Sequence, residues 1–453
     1  MTMFFTREKD FYKTFIKLCL ALMLEQAVIL SVNLADNLML GTYSEAALSG
    51  VAAVNQIQFV YQQLVYGIGN ALIVLASQYW GQRRLKEIRS LCSIGARFEI
   101  GLAALLFILV SVFPQGALRL FTEKEQFVTE GVSYLMIMRF SYPFFALTAV
   151  LLSTMRSVES VKIAIRVSVV SLFVNVILNY LLIAGHFGAP ELGARGAAVG
   201  TLTARVVEFI IVLTYVLRDK KLTMRLKNFL SIDGGLVKDF IKVSIPVLGA
   251  ALIWGVTNAM QTMILGHMDD SAIAAQSISN TVFLLLKVTM VGAASAASVI
   301  IGKTIGGGDM GKLKSYVRTL QVMFVGMGAV LAVVMLIIRI PLLRVYAPSI
   351  TPETYALANA YMIIQSVVLL TMSYQMPVNA GIIRGGGNPR FVLYLDLVTL
   401  FGVMPLSFLG GFVWHWPVIA VIICLNIDQV YKCLPAGIYV NSYRWIRKLT
   451  RDE

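Results

Sequence analysis

The sequence contains two copies of one pattern. Residues 31–90 align with residues 256–315 without a gap, and the identical positions include Asn33 with Asn258 and Gly67 with Gly292. Both copies lie in long apolar stretches. With 58% apolar and 14% charged residues, the chain has too few charges to cover a soluble protein of 453 residues. A duplicated apolar chain of this kind is typical of secondary transporters, whose two halves enclose a cleft.

Twelve apolar stretches reach the roughly 20 residues that a helix needs to cross a bilayer; the first is 14–40 and the last is 416–440. We therefore predict an all-α integral membrane protein with twelve transmembrane helices in two pseudo-symmetric six-helix bundles. The longest polar connection joins the two copies. It predicts an N-terminal six-helix lobe at 1–222 and a C-terminal six-helix lobe at 223–453. Because six is an even number, both lobes should enter the membrane in the same orientation.

The basic residues predict the orientation of the chain. Of the 38 Lys and Arg residues, 29 fall on the side of the N-terminus, five on the opposite side and four within spans. Positive charge is enriched in cytoplasmic loops, so we expect both termini in the cytoplasm and the protein in the cell (cytoplasmic) membrane. The net charge of +14 is then a signal of topology, and we do not expect nucleic acid as a partner.

The sequence offers no enzyme motif. Residues 306–311 match G-x-G-x-x-G, but they follow a membrane helix, whereas the dinucleotide motif follows a strand. Neither H-E-x-x-H nor G-x-S-x-G occurs, and the three histidines form no group with metal-ligand spacing. We therefore expect no enzymatic activity, no catalytic residue and no cofactor. Transport would be passive or driven by an ion gradient.

Ionisable side chains inside the predicted spans need partners, because a charge at mid-membrane costs at least about 2.5 kcal/mol. Two pairs have a partner one helical turn away and can neutralise each other: Arg205 with Glu208, and Asp428 with Lys432. Lys287 has no such neighbour, and we expect it to pair with Asp396. Without a partner, Lys287 would place a positive charge in the cavity and disfavour organic cations.

Asp36 has only the amides of Asn33 and Asn37 nearby in the sequence. Inside a bundle, such a carboxylate can take up a proton or hold a small hard cation together with amide and carbonyl oxygens. The alternative is a water-exposed carboxylate near the outer mouth with no coupling role. The cost of an intramembrane charge favours the first interpretation. Apart from sodium at Asp36, no metal is expected.

Amide side chains recur along several predicted helices. Asn175 and Asn179 are spaced i,i+4 and share a face; they serve either a site or contacts between helices, and the pattern favours neither. Other polar residues in the spans predict a water-filled or substrate-binding cavity, because amides facing lipid are costly; contacts between helices are the alternative. These candidates are Asn33, Gln58, Gln62, Tyr66 and Asn70 in the first copy, and Asn258, Asn280 and Lys287 in the second.

Three segments make the chain similar to a known family. Residues 33–41 (NLADNLMLG) resemble the first-helix signature of the multidrug and toxic compound extrusion (MATE) transporters. Residues 175–180 (NVILNY) with 196–201 (GAAVGT) resemble its pattern on helices 5 and 6, and residues 384–390 (RGGGNPR) resemble an inner loop of its second half. The resemblance covers nearly the whole chain.

This resemblance implies a V-shaped pair of six-helix lobes and an antiporter that exchanges a substrate for a cation. It implies that Asp36 is central to proton or sodium coupling, with Asn175, Asn179 and Thr201 as polar partners. Some relatives carry an aspartate at the position of Asn179, so this site has one acid fewer.

We therefore expect export of organic, cationic amphipathic compounds by a monomer in the lipid bilayer, with a proton or sodium as coupling ion. Two alternatives stay open: a lipid-linked precursor flippase of the same superfamily, and a passive channel or receptor.

Overall fold

The computed structural model describes residues 5–122, 124–230, 233–268 and 270–451. Within these ranges the regular structure is helical, and twelve helices are long and apolar enough to cross a membrane, which confirms the predicted number. They are α1 (Lys9–Tyr43), α2 (Glu45–Gly81), α3 (Leu85–Val112), α4 (Glu125–Ser157), α5 (Lys162–Ile183), α6 (Ala194–Arg218), α7 (Gly234–Met268), α8 (Ser271–Gly306), α9 (Met310–Ser349), α10 (Pro352–Ile383), α11 (Pro389–Phe412) and α12 (Val418–Ser442).

Polar side chains mark where some of these helices begin. The hydroxyl of Ser44 accepts a hydrogen bond from the backbone N–H of Ala47 at the start of α2 (3.4 Å). At the start of α10, the hydroxyl of Thr351 accepts from the N–H of Thr354 (3.2 Å), and Pro352 occupies the first turn, where no N–H is needed. Each cap contributes about 1 kcal/mol to helix stability.

Three of the long helices depart from regular α geometry. A 3₁₀ turn at Arg139–Ser141 interrupts α4 just before Pro143. Pro377 begins a π-helical segment, Pro377–Ile383, that ends α10, and a second one, Thr399–Val403, lies inside α11. A proline lies within two residues of each of these three sites (Pro143, Pro377 and Pro405), and proline lacks the N–H that would continue the α pattern.

The chain forms two compact units. The N-terminal unit is Leu24–Ser244, and the C-terminal unit combines Met1–Met23 with Ile245–Glu453. The first division between them therefore falls inside α1. The lobe boundary near residue 222 concerns the two sequence copies and stays a prediction.

The N-terminal unit has an apolar core that reaches from α1 to α6, with Leu40, Val54 and Leu135 among its fully buried members. Two of its helices meet without side chains between them. A Cβ atom added to Gly50 of α2 would lie 2.7 Å from the backbone nitrogen of Gly131 in α4. The pair of glycines thus allows backbone contact between α2 and α4, as small residues commonly do in membrane bundles.

The C-terminal unit has two separate apolar clusters. One joins α8, α9 and α10 around Met290, Met335 and Met362. The other includes Leu265 of α7 and Met404 of α11. Methionine is flexible and fills irregular gaps between helices, which suits a unit with two π-helical segments.

Candidate functional site

A pocket in the N-terminal unit contains the carboxylate that the sequence predicts as the coupling group. The empty space in this pocket is about 680 Å³ when the part open to solvent is counted. Helices α1, α2, α4 and α6 supply its wall. The polar lining residues include Asn33, Asp36, Asn55, Gln58, Tyr61, Gln62, Tyr134, Thr201 and Arg205.

A second pocket in the same unit, of about 410 Å³ by the same measure, lies against α5 and α6. It shares Asn33, Thr201 and Arg205 with the first, and adds Asn175 and Glu208. The two spaces therefore have common walls, and most of the predicted site of the first copy borders one or both.

Asp36 begins a chain of hydrogen bonds that passes through the amides of α5. Asn179 donates through Nδ2 to Asp36 Oδ1 (2.5 Å) and to Asn175 Oδ1 (3.3 Å). Asn175 in turn donates to the hydroxyl of Thr201 in α6 (3.1 Å). Asn175 and Asn179 are almost fully buried, whereas Asp36 is half-buried. The structure thus brings together all four residues predicted for cation coupling.

Gly200 makes room for this chain of hydrogen bonds. A Cβ atom at position 200 would lie 2.2 Å from Asn179 Oδ1, closer than any normal contact. Asn179 Oδ1 has no hydrogen-bond partner in the described part of the chain, although it is buried. The absence of a side chain at Gly200 therefore allows the Asn179 amide to keep the orientation in which its nitrogen faces Asp36.

The basic residue of the pocket is neutralised on its own helix. Arg205 forms the predicted ion pair with Glu208 (2.8 Å), and its guanidinium lies 4.8 Å from the centre of the Phe145 ring. Among the described residues, no Lys or Arg pairs with Asp36 within 4.0 Å. The hydrogen bond that Asp36 receives therefore comes from an amide and not from a basic side chain.

The stripe of polar residues on α2 that was predicted to line a cavity (Gln58, Gln62, Tyr66 and Asn70) is only partly in the pocket. Gln58 and Gln62 line the first pocket. Tyr66 packs edge-on against Phe145, with ring centres 6.1 Å apart. Asn70 and Tyr66 line neither of the two pockets, so the stripe also serves packing inside the unit, as its alternative interpretation required.

Two of the three candidates of the second copy, Asn258 and Lys287, contact the same residue, Trp254. Asn258 donates to the backbone carbonyl of Trp254 one turn earlier (2.8 Å). Asn280 accepts from Gln365 of α10 (3.2 Å). The ammonium of Lys287 lies 4.5 Å from the centre of the Trp254 ring. These are local contacts, and a substrate-binding role of these residues stays a prediction.

The expected pair of Lys287 with Asp396 is wrong. Asp396 pairs instead with Lys432 (2.9 Å), which also forms the predicted i,i+4 pair with Asp428 (3.3 Å). The ammonium of Lys432 thus serves two carboxylates on neighbouring helices, and no carboxylate of the described residues lies within 4.0 Å of Lys287 as an ion pair. The attraction between its ammonium and the Trp254 ring replaces the expected ion pair.

The structure shows the surroundings of two buried acids, which the sequence pattern did not predict. Glu25 of α1 forms an ion pair with Arg156 of α4, and both side chains are largely buried. Glu99 of α3 is completely buried, and neither of its carboxyl oxygens has a hydrogen-bond partner in the described part of the chain. The position of Glu99 inside an apolar stretch is a sequence signal of a buried acid. Arg97, two positions earlier, obscures this signal because a charged residue there suggests the end of a helix.

Comparisons with known proteins agree with this architecture. The family model MatE matches residues 21–181 and 246–409. The chain is 25% identical to the uncharacterized transporter YisQ of Bacillus subtilis, covering 83% of this chain and 82% of YisQ. It is 24% identical to the probable multidrug resistance protein NorM of Thermotoga maritima, covering 97% and 95%.

Among solved structures, a mutant of the Vibrio cholerae MATE transporter VcmN superposes with a TM-score of 0.85 at 18% identity, covering 98% of this chain and 99% of that one. At this identity the likeness shows the fold, and the family model shows the membership, because it matches well over half of the chain. The chain therefore belongs to the MatE family, the multidrug and toxic compound extrusion transporters, and is a multi-pass membrane protein.

Proposed function

We propose that this protein is an antiporter that exports organic, cationic amphipathic compounds in exchange for an inward-moving proton or sodium ion. It acts as a monomer in the cytoplasmic membrane, with both termini in the cytoplasm. The excess of basic residues on the side of the termini supports this orientation. Relatives described as multidrug resistance proteins support the class of substrate.

The observation that carries the proposal is the state of Asp36. Its Oδ1 accepts a hydrogen bond from Asn179, no basic residue pairs with it in the described part of the chain, and it lines a pocket together with other polar side chains. A carboxylate placed in this way can exchange a proton directly with the pocket. Together with the oxygens of Asn179 and Thr201, it also offers the hard ligands that suit a small cation.

The charge of the pocket favours a positive substrate. Arg205 and Glu208 cancel each other at 2.8 Å, so ionised Asp36 leaves the lining with one negative charge. An organic cation and the coupling ion would then compete for the same carboxylate, which is the condition for exchange: binding of one favours release of the other. Tyr61 and Tyr134 add aromatic surface for the apolar part of the substrate.

The proposal is tested with Asp36→Asn in reconstituted vesicles, with proton and sodium gradients imposed separately and efflux of a cationic dye as the readout. Asn has the size of Asp but cannot be ionised, so we expect folded protein with no gradient-driven efflux. Glu45→Gln, which changes an exposed acid at the start of α2, is the matched control and should leave efflux unchanged. Normal gradient-driven efflux by Asp36→Asn would refute the proposal.

A further inference from the structure

Glu99 is a buried acid that the proposed exchange at Asp36 does not use. It lies on the face of α3 that packs against α2 and α4. Gly95 lies one turn earlier, and a Cβ atom added there would meet Leu72 of α2 and Val150 of α4. The exposed fraction of Glu99 is 0%. Both carboxyl oxygens are buried without a hydrogen-bond partner among the described residues. Such an environment is unusual, because most buried polar groups are hydrogen-bonded.

The basic groups on the surrounding helices are already in use. Arg139 of α4 donates to the hydroxyl of Ser111 and lies over two phenylalanine rings. Arg156, also in α4, pairs with Glu25. Arg97 on α3 itself donates to a backbone carbonyl of the Leu226–Leu230 turn, and α2 contains no lysine or arginine. The described surroundings therefore supply no counter-ion for an ionised Glu99.

Two titratable groups near Glu99, a tyrosine and a cysteine, are of types that are uncharged at neutral pH. Tyr61 of α2 and Cys92 of α3 are near enough to interact electrostatically with its carboxyl group. Tyr61 donates its hydroxyl hydrogen to the backbone carbonyl of Tyr142 (2.9 Å), so it makes no bond to Glu99. An ionised carboxylate in this setting would lose its hydration without any compensation, whereas the neutral acid would lose much less.

We propose that Glu99 is a second proton-binding site of the N-terminal unit, and that it carries a proton in this conformation independently of Asp36. Tyr61 links the two acids in space, since it lines the pocket that contains Asp36 and also lies close to Glu99. Asp36 is half-buried and exchanges its proton with the pocket. Glu99 exchanges its proton only when α3 separates from α2 and α4 enough to admit water.

Infrared spectroscopy tests this proposal without any transport measurement. The purified protein, at neutral pH in a detergent without ester groups, should show the carbonyl stretching band of a protonated carboxylic acid. Glu99→Gln should lose the Glu99 component of that band, whereas Asp36→Asn should retain that component. Glu125→Gln is the matched control, because that side chain is 68% exposed and its carboxylate pairs with Arg119 (3.1 Å).

Each outcome decides the question. Absence of the band from the wild-type protein, or a band of unchanged intensity in Glu99→Gln, would overturn the proposal. Failure of Glu99→Gln to accumulate as folded protein would also overturn it, because glutamine is the uncharged isostere of a protonated glutamate and should fit the same space. The experiment is independent of the proposed function: the band reports on Glu99 even if Asp36→Asn transports normally.

Discussion

Gly200→Ala should uncouple transport without changing any of the residues that bind the ion. The added Cβ atom would lie 2.2 Å from Asn179 Oδ1, so the Asn179 amide has to rotate or move away. The clash is with the end of a side chain, which can yield, and we therefore expect the protein to fold. The displaced amide would no longer donate to Asp36 (2.5 Å) or to Asn175 (3.3 Å).

The size of the effect follows from the two hydrogen bonds. A bond to a charged group contributes about 1.5–3 kcal/mol and a neutral one about 0.5–1.5 kcal/mol, so the loss of both costs about 2–4.5 kcal/mol. The bond to Asp36 alone corresponds to a change of about ten- to a hundredfold in an equilibrium at that carboxylate, because each 1.36 kcal/mol is about tenfold.

Initial rates of dye efflux under an imposed gradient measure the effect of Gly200→Ala, which we expect to be a loss of about tenfold or more. Gly101→Ala is the matched control: a Cβ atom there meets nothing within 4 Å, and efflux should be unchanged. If Gly200→Ala transports as well as Gly101→Ala, the Asn179–Asp36 hydrogen bond has no part in coupling.

Three further predictions concern charges outside this chain of hydrogen bonds. Glu25→Gln and Arg156→Met each leave a buried charge without its partner and should lower the free energy of unfolding by about 3–5 kcal/mol. The double variant should lose less than the sum of the two; additive losses in thermal unfolding would contradict this. The hydrogen bond from Tyr316 is the main cause that holds the pKa of Glu8 below its ordinary value of 4.5. Ionised Glu8 therefore adds stability above the unfolded-state pKa, and this stability is lost as the pH falls through the folded-state pKa. Glu8→Gln should weaken the acid-side fall of the unfolding temperature, and an unchanged profile would argue against it. Lys287→Gln should increase efflux of cationic dyes relative to neutral ones. Equal changes for both kinds of dye would show that the charge of Lys287 does not affect substrate selection.

The sequence predicts the membrane architecture well, because span length and apolar composition are properties of single segments. The link from Asp36 to Asn175 and Thr201 was predicted by resemblance to a family, and the structure supplies the central position of Asn179 in it. The functional role of that link stays a prediction. The i,i+3 and i,i+4 pairs were predictable because they lie on one helix.

Contacts between helices were less accessible from the sequence. Lys432 serves both Asp396 and Asp428, and the choice between Lys432 and Lys287 depends on how each helix is rotated about its axis, which hydropathy does not reveal. Glu99 was overlooked for a related reason. Its isolation becomes visible only when the neighbouring basic residues are seen to be occupied.

The meeting of α2 and α4 at Gly50 and Gly131 limits what can move during a transport cycle. Because the backbone of one helix lies against that of the other, neither can turn about its axis without a steric collision, and the two helices should move as one rigid unit. The distances between Gln58 and Tyr61 on one helix and Tyr134 on the other should then stay constant. Substrate selection would then depend on a preformed shape, and the remaining walls, α6 and α1 with its carboxylate, would have to supply the displacement.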